Sequence, residues 1–583
     1  MLAAALWVGS ANAANPAGYE ERHIIRALMG LGLVPDPAPD GKTVAWVRTV
    51  RYEVFLPEEP FFTWPNVLHA VTDEDVVRRE VLLSPGQPFD RQRAEESARN
   101  LRGLAIFALV RVVPVGTGSP GQVGLVVVTR DLWSLRLESE FQYTAGHLDH
   151  LKLQLTERNM FGRAKRGSAR VDLQSLTVRP GAVYVDRRLL GEDLYLLASG
   201  DAILLREDGS PDGFESQLTV ARPFYDLAQR WGFAVPITVA RETTRQNQAG
   251  TILTYDPDPE DDDAVAIPRV WDQTYASIEG VAQLQSGTRY VQRFSVGWGF
   301  TLLDAKADVA EAYRADFERD VLPHTFRWVY PIAGWGLFEN RYQVFRDLAA
   351  FAISEDVQLG PSTELTLRAP LAAFGSDENN VQVSGNVGWT EAFLGDGLVE
   401  LAAGARGRWD ADLGELFDET LLVRARAATP GSKAGRLVLR ADWLARRHDT
   451  QGALTTLGGD NGLRGYGSQA LFAFGASRVR GNVELRTAPV AVSFLHAGLA
   501  TFYDVGTVYD DFDDAQLFQA VGLGLRALIP QFNSVTYRVD LGVPVDGSGL
   551  SVSFSVETGQ AVPLTRREDR NYEFSVGGLS NQP

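Results

Sequence analysis

The sequence of 583 residues contains no cysteine and no long apolar run, and its basic residues are outnumbered by acidic ones. Without thiols, the chain has neither a disulfide framework nor a cysteine metal cage, and it can cross an oxidising compartment without cross-linking. The lack of about 18 consecutive apolar residues excludes a spanning helix, but membrane strands need only about 9–11 residues. The net charge of -18 argues against a nucleic-acid partner.

The first residues resemble the end of a secretory signal. An apolar stretch from Leu2 to Val8 is followed by Ala11-Asn12-Ala13, which has the pattern of a cleavage site. The stretch is short and no basic residue precedes it. We therefore expect residues 1–14 to be a truncated signal peptide.

Residues 15–132 have a mixed helical and extended pattern. A helix is predicted over Tyr19 to Val34 and ends at a proline-rich breaker, so residues 15–43 are expected to form a helix and a linker. Residues 44–132 follow the order strand, helix, helix, strand, strand. Asp90 is expected to cap the second of these helices. This pattern predicts a small α+β domain.

Beyond Trp133, apolar and polar residues alternate strictly. In residues 436–446, Leu437, Leu439 and Trp443 share one face and Arg436, Arg440 and Asp442 the other. Alternating segments continue for roughly 450 residues without a domain break, whereas a soluble sandwich takes about 100 residues. Residues 133–562 are therefore predicted to form an all-β transmembrane antiparallel barrel of about 16 strands. Residues 563–583 are expected to be a polar C-terminal tail.

A row of soluble sandwich domains is the alternative, because such sheets also alternate. Two features favour the barrel. The polar face carries many arginines beside acids, which suits a wet interior. Tryptophans recur near the ends of predicted strands, as an interfacial girdle requires: they are Trp271, Trp298, Trp328, Trp389 and Trp409.

Two motifs lie in the last quarter of the chain. The first reads Gly458-Gly459-Asp460-Asn461-Gly462-Leu463-Arg464-Gly465-Tyr466, and the second, about forty residues later, reads Phe502-Tyr503-Asp504-Val505-Gly506. Together they resemble the outer-membrane translocation and assembly superfamily, which includes the central subunit of the barrel-assembly machinery and the two-partner-secretion transporters. The resemblance implies that Leu463 to Tyr466 form the tip of an extracellular loop folded into the lumen. Phe502, Asp504 and Gly506 would form its partner motif on a later strand.

Elementary electrostatics agrees with that implication. A loop that folds back needs glycines such as Gly458 and Gly459 for its tight reversal. An arginine held away from bulk water needs a carboxylate, and Asp504 can accept the forked guanidinium of Arg464 at two atoms. Taken alone, the first motif is better explained as a hairpin turn with an exposed arginine, but the partner motif at a suitable spacing makes that the less favoured interpretation.

Two further segments are similar to this superfamily. Glu157 to Gly162 reads E-R-N-M-F-G, which is similar to an early barrel motif, and residues 44–131 match the element order of a POTRA module. The chain departs from the family in having a single POTRA-like domain, an apparent insertion over residues 56–71, and a polar tail after its last predicted strand.

The resemblance implies a Gram-negative outer-membrane protein that inserts or translocates polypeptides, with its N-terminal domain in the periplasm. The POTRA-like domain would pair its edge strand with an extended client. The seam between the first barrel strand (residues 133–142) and the last (residues 550–557) would open laterally, weakened by Gly547 and Gly549. Expected partners are outer-membrane lipid, unfolded outer-membrane or secreted polypeptides, and periplasmic chaperones or accessory lipoproteins.

Two other classes of function are open alternatives. The chain could be a passive pore or a structural barrel with a vestigial POTRA domain. An enzyme is the least favoured class, because the sequence has neither the G-x-S-x-G nor the H-E-x-x-H pattern. His147 and His150 lie three apart and would face opposite sides of a strand, so no metal or other cofactor is expected.

Overall fold

The structure, a computed structural model, describes most of the chain. The described residues are 19–57, 59, 62–144, 147–248, 250–258, 265–450, 453–459, 462–467, 470–474, 477–492, 494–533, 535–545, 553–558 and 560–564. The expected signal peptide at residues 1–14 lies outside them. No helix in the described part is both long and apolar enough to cross a membrane.

A small α+β domain precedes the barrel. It contains helix α1 (Tyr19–Leu31), strand β1 (Thr43–Tyr52), helices α2 (Glu74–Arg79) and α3 (Arg91–Gly103), and strands β2 (Phe107–Gly116) and β3 (Gln122–Asp131). β3 lies between the other two strands, parallel to β1 and antiparallel to β2. Asp90 caps α3 by accepting a hydrogen bond from the Arg93 amide, as predicted. Valines of β3 pack against α1 on one face and α3 on the other, so the sheet lies between these two helices.

The barrel wall follows directly and closes on itself. Its strands are β4 (Leu135–Thr144), β5 (His147–Met160), β6 (Lys165–Leu173), β7 (Thr177–Asp186), β8 (Tyr195–Leu205), β9 (Pro211–Arg222), β10 (Trp231–Arg245), β11 (Val270–Ser286), β12 (Tyr290–Lys306), β13 (Phe326–Glu339 and Arg341–Arg346), β14 (Ser354–Arg368), β15 (Asn380–Phe393), β16 (Gly397–Asp410), β17 (Glu415–Ala428), β18 (Arg436–Arg447), β19 (Ser477–Arg486 and Val490–Val492), β20 (Leu495–Tyr509), β21 (Phe518–Leu528), β22 (Tyr537–Pro544) and β23 (Ser553–Thr558). Each strand is antiparallel to its neighbours. The predicted fold class, a transmembrane antiparallel barrel after a small α+β domain, is confirmed.

The number of strands exceeds the expected figure of about 16. The closed sheet of the described residues contains 22 strand segments, two pairs of which are halves of one interrupted strand, so 20 strands cross the wall. Short turns without glycine or proline explain the difference. β6 and β7, for example, are joined by Gln174, Ser175 and Leu176. Such a turn leaves the pattern of the sequence nearly unbroken, so two strands are easily counted as one.

The wall is apolar outside and charged inside. On β19, Arg480, Glu484 and Arg486 point inward and are buried, whereas Val483 and Leu485 are 40% and 44% exposed on the outer face. An apolar exterior around a charged interior is the pattern of a membrane-spanning barrel. The arginine-rich interior predicted from the alternating strands is thereby confirmed.

The predicted tryptophan girdle is correct in part. Trp298, Trp389 and Trp409 are about half exposed on the outer face. Trp271 is buried beneath helix α4 (Glu311–Asp320) of the loop between β12 and β13, where it belongs to a cluster with Phe317. Trp328 is buried and stacks on Phe326 with ring centroids 3.5 Å apart. The alternation did not show which face of each strand would carry these two rings.

The end of the barrel that meets the α+β domain is called the near end here, and the opposite end the far end. Arg102 of α3 pairs with Asp356 of β14 at 2.6 Å, and Asn100 donates to the Tyr225 carbonyl in the turn after β9. The domain therefore rests on near-end turns and strand ends.

Candidate functional site

The loop between β18 and β19 begins at the far end and folds into the lumen. Its two arms, Leu454–Leu457 and Leu471–Phe474, form a short antiparallel ladder. Between them, Leu463 and Arg464 are buried within the barrel. Asp460 and Asn461 of the motif lie outside the described residues. The structure thus places the loop tip inside the wall, as the resemblance implied.

Arg464 and Asp504 are in direct contact. Nε of Arg464 donates to Oδ2 of Asp504 at 2.8 Å, and Nη2 donates to Oδ1 at 2.9 Å. The amide of Arg464 adds a third bond to Oδ2 at 3.1 Å. The Arg464 guanidinium also lies 3.5 Å from the centre of the Phe502 ring, a cation–π distance. Two members of the second motif, Phe502 and Asp504, therefore contact the same arginine.

Two further carboxylates surround Arg464, and sequence reasoning missed both. Nη1 of Arg464 donates to Glu484 of β19 at 2.7 Å and lies 3.6 Å from Asp540 of β22. Asn482 donates to Oδ1 of Asp504 at 2.7 Å and thereby holds that carboxylate in place. Inward acids on neighbouring strands were visible in the sequence, but only the strand register shows that they converge on one cation.

Apolar contacts fix the rest of the loop tip. Leu463 and Tyr466 are buried in a cluster with Ala520 of β21 and Leu457 of the loop. The Tyr466 hydroxyl donates to the carbonyl of Gln519 at 3.1 Å. The loop is therefore held against the wall by the ion pairs of Arg464 and by the apolar contacts of Leu463 and Tyr466.

Glycines allow the loop backbone to approach the wall closely. Gly465 has a φ of +102°, a conformation that favours glycine, and Gly458 and Gly459 also have positive φ. On the wall, a Cβ at Gly542 would lie 2.5 Å from the Gly465 nitrogen, and one at Gly506 would lie 2.7 Å from Leu457. Gly506 of the second motif thus leaves space for the loop. Gly542 also leaves space for the loop, although it belongs to neither motif.

The seam lies between β4 and β23. Four residue pairs join them in the described residues, from Phe141–Val556 to Thr144–Ser553. Gly547 and Gly549, the glycines expected to weaken the last strand, lie outside the described residues. The last strand itself was predicted over residues 550–557, and its described part agrees with that range.

The E-R-N-M-F-G segment lies at the junction with the α+β domain. Asn159 donates to the Ala70 carbonyl and to the Thr72 hydroxyl, and the Asp73 amide donates to the Gly162 carbonyl at 2.9 Å. Gly162 has a φ of +72°, and a Cβ there would lie 2.5 Å from the Val71 carbonyl oxygen. This barrel segment therefore contacts residues 70–73, which are the end of the apparent insertion after β1 and the two residues that follow it.

The start of the segment expected to be a polar tail is buried in the structure. Leu564 was assigned to a polar tail, yet it is buried inside the barrel beside Val562. The charged composition of residues 565–570 hid this short apolar segment, because its burial depends on a cavity formed by distant strands. Residues 565–583 lie outside the described residues.

No protein-family model matches the sequence, and no curated protein matches it. Among solved structures, BamA from Haemophilus ducreyi lacking POTRA domains 1-3 matches at 11% identity, with 88% of this chain and 85% of that one covered and a TM-score of 0.35. CdiB from Escherichia coli matches at 11% identity, with 89% and 77% covered and a TM-score of 0.41. The siderophore receptor PirA from Acinetobacter baumannii matches at 7% identity, with 77% and 85% covered and a TM-score of 0.34. At these identities the likeness is one of fold alone.

Proposed function

We propose that this protein inserts or translocates polypeptides at the bacterial outer membrane through a barrel that opens at the seam between β4 and β23. The described pairing across this seam carries the proposal. It pairs four residues in the described part of the chain, whereas β22 and β23 pair six and β21 and β22 pair eight. At about 0.5–1.5 kcal/mol net per hydrogen bond, four pairs come to about 2–6 kcal/mol, which an incoming strand can replace.

The filled lumen favours this function over a passive pore. The loop tip at Arg464 enters from the far end, and residues 560–564 enter from the near end. A solute path through such a lumen requires both to move. A client that leaves sideways through the seam requires only local separation of two strands.

The N-terminal domain is proposed to be a POTRA-type docking domain in the periplasm. β1 is an edge strand of its sheet, and beyond Val44 no described strand pairs with its outer edge. A groove beside this edge is lined by Arg48 and Thr49 of β1 and by Glu74 and Arg78 of α2. An extended client can add to such an edge by main-chain hydrogen bonds. The proposal includes no enzymatic step. Accessory periplasmic proteins are expected to bind to this same domain.

A reversible disulfide across the seam tests the proposal, since the chain has no cysteine of its own. Facing residues of antiparallel strands lie about 4.5–5.5 Å apart at Cα, which is within disulfide range. Gln142→Cys with Ser555→Cys joins β4 to β23, and Val521→Cys with Val543→Cys joins β21 to β22 as the matched control.

Oxidation of the seam pair should stop the appearance of other folded barrels in the outer membrane, and reductant should restore it. The control pair should leave assembly unchanged. Equal assembly by both oxidised variants would overturn the lateral-opening proposal. A steady conductance in planar bilayers, unaffected by clients or by the seam disulfide, would favour the pore.

A further inference from the structure

The segment that follows the last strand turns back into the barrel. Val562 and Leu564 are buried among side chains of the near-end wall. The seven wall residues of this cluster are Phe345, Leu348, Val357, Leu359, Leu398, Ala428 and Val438. Val562 and Leu564 are two residues apart, and both belong to this one buried cluster.

The main chain of this segment is held by arginines. Nη2 of Arg486 donates to the Val562 carbonyl at 2.7 Å, and Nη1 of Arg426 donates to the Pro563 carbonyl at 2.6 Å. Both contacts recognise backbone atoms, which every polypeptide carries. The apolar cluster is the part of this surface that can distinguish one bound side chain from another.

The segment crosses the wall between β21 and β17 and bends at residues 561 and 562. The Gln560 side chain accepts from Arg526 of β21 at 3.0 Å, while Pro563 is bound from β17. These strands are four neighbours apart in the wall, which is about 19 Å at the usual strand spacing. Gln560 and Pro563 are three backbone steps apart, which is at most about 11 Å, so the long glutamine and arginine side chains bridge the remaining distance.

The arginines are held in place independently of the segment. Arg486 donates to Glu484 at 2.8 Å, Arg426 donates to Glu400 at 2.6 Å, and Arg526 donates to Asp540 at 2.6 Å. Wall carboxylates therefore orient the guanidinium groups whether or not the segment is bound. Such preorganisation is what a binding site requires.

We propose that this surface, defined by Arg426, Arg486 and the seven-residue apolar cluster and called the tail cradle, is a binding site for polypeptides that carry two aliphatic residues two positions apart. The chain's own segment 560–564 occupies it at rest, and an entering client takes its place. The identity of the occupant rests on the proposed function, because a client must enter through the near end. Since the segment follows β23 directly, its departure also removes the anchor of the seam strand.

Peptide binding to the purified full-length protein tests the tail cradle without any assembly reaction. The probe is a fluorescent peptide with the sequence of residues 559–566, measured by anisotropy. The protein carries Val562→Asp and Leu564→Asp, which weaken its own segment. The control peptide carries the same two aspartates.

The native peptide should bind this variant at least tenfold more tightly than it binds the wild-type protein, and the control peptide should bind neither. Arg486→Gln with Arg426→Gln should abolish the difference. Equal binding to variant and wild type, or binding unaffected by loss of both arginines, would overturn the proposal. Heat-modifiable mobility confirms folding of each variant, and Leu564→Ala replaces the double aspartate if that variant fails to fold.

Failure of this experiment is distinguishable from failure of the proposed function. A peptide carrying a photo-reactive residue in place of Leu564 should cross-link to one or more of the seven apolar residues of the cradle. Cross-linking there, combined with assembly unaffected by the seam disulfide, would retain the cradle and reject the lateral seam. Cross-linking elsewhere would reject the cradle alone.

Discussion

Removal of the Asp504 carboxylate should release the Arg464 loop from the wall. Asp504 accepts three hydrogen bonds from Arg464, two of them from the guanidinium. In Asp504→Ala the arginine keeps Glu484 at 2.7 Å, so its charge is not left alone. Breaking a buried pair on one side costs about 3–5 kcal/mol, and the remaining partner places the expected loss near the lower limit, about 3 kcal/mol.

Trypsin provides the assay, because it cleaves after arginine and so reports on Arg464 itself. Arg464 is 3% exposed, and cleavage of the 464–465 bond requires the loop to open first. When opening is fast, the cleavage rate follows the open population. A loss of about 3 kcal/mol should therefore raise this rate about 100-fold, since 1.4 kcal/mol corresponds to a factor of ten.

Three comparisons complete the experiment. Cleavage after Arg319, whose side chain is 65% exposed, gives an internal reference rate. Asp504→Asn retains shape and one acceptor oxygen, so its effect should be smaller than that of the alanine variant. Asp377→Ala removes an exposed pair with Arg327 and should leave cleavage at 464 unchanged, because exposed pairs contribute about 0–1 kcal/mol. An unchanged rate at 464 in Asp504→Ala would show that this pair does not hold the loop.

Two further outcomes are expected. Gly542→Ala places a Cβ 2.5 Å from the Gly465 nitrogen and should also speed cleavage at 464, whereas Gly280→Ala, with open space around its Cβ, should not; equal rates in both would contradict the close approach. Burial of Glu59 raises its pKa, but its hydrogen bonds and charge interaction with Arg130 lower the pKa by a larger amount. The pKa of Glu59 therefore lies below its ordinary value. The stability from this pair is present above the unfolded value of about 4.3 and is lost as the pH falls through the lower folded pKa. The measurement is the free energy of urea unfolding of the N-terminal domain as a function of pH. Glu59→Gln should make this free energy less dependent on pH in the acid range. An unchanged pH dependence would show that the pair does not contribute to stability.

The fold could be predicted because alternation is local information. A strand with one apolar and one polar face has apolar and polar residues at alternate positions of its sequence. β18 and β19 show this alternation at nearly every position. The count of strands was less accessible, since a turn such as residues 174–176 lacks the glycine or proline that marks a boundary. Elements were therefore predictable where side-chain chemistry alternates and less so where the backbone simply reverses.

The site could be predicted only as a pair. Charge balance and the two motifs indicate that Arg464 meets Asp504, but Glu484 and Asp540 look like any other inward acid. Their convergence depends on register: Asn482 faces Asp504 across β19 and β20, and Asp540 lies opposite Gly524, where a Cβ would meet its carboxylate. The buried segment at Val562 was unpredictable for a similar reason, because its cavity is built from strands more than a hundred residues away.

Glu484 joins the two elements that enter the lumen. One of its oxygens accepts from Arg464 of the far-end loop at 2.7 Å, and the other accepts from Arg486, which binds the Val562 carbonyl of the near-end segment. A buried carboxylate needs compensating charge, so departure of the loop removes one of its two closest cations and increases its dependence on Arg486. Arg486 in turn has fewer acceptors once the Val562 carbonyl has gone. Movement of either the far-end loop or the near-end segment therefore alters the charge compensation of Glu484. The loop and the seam strand are thus connected by a contiguous path of contacts through the lumen wall.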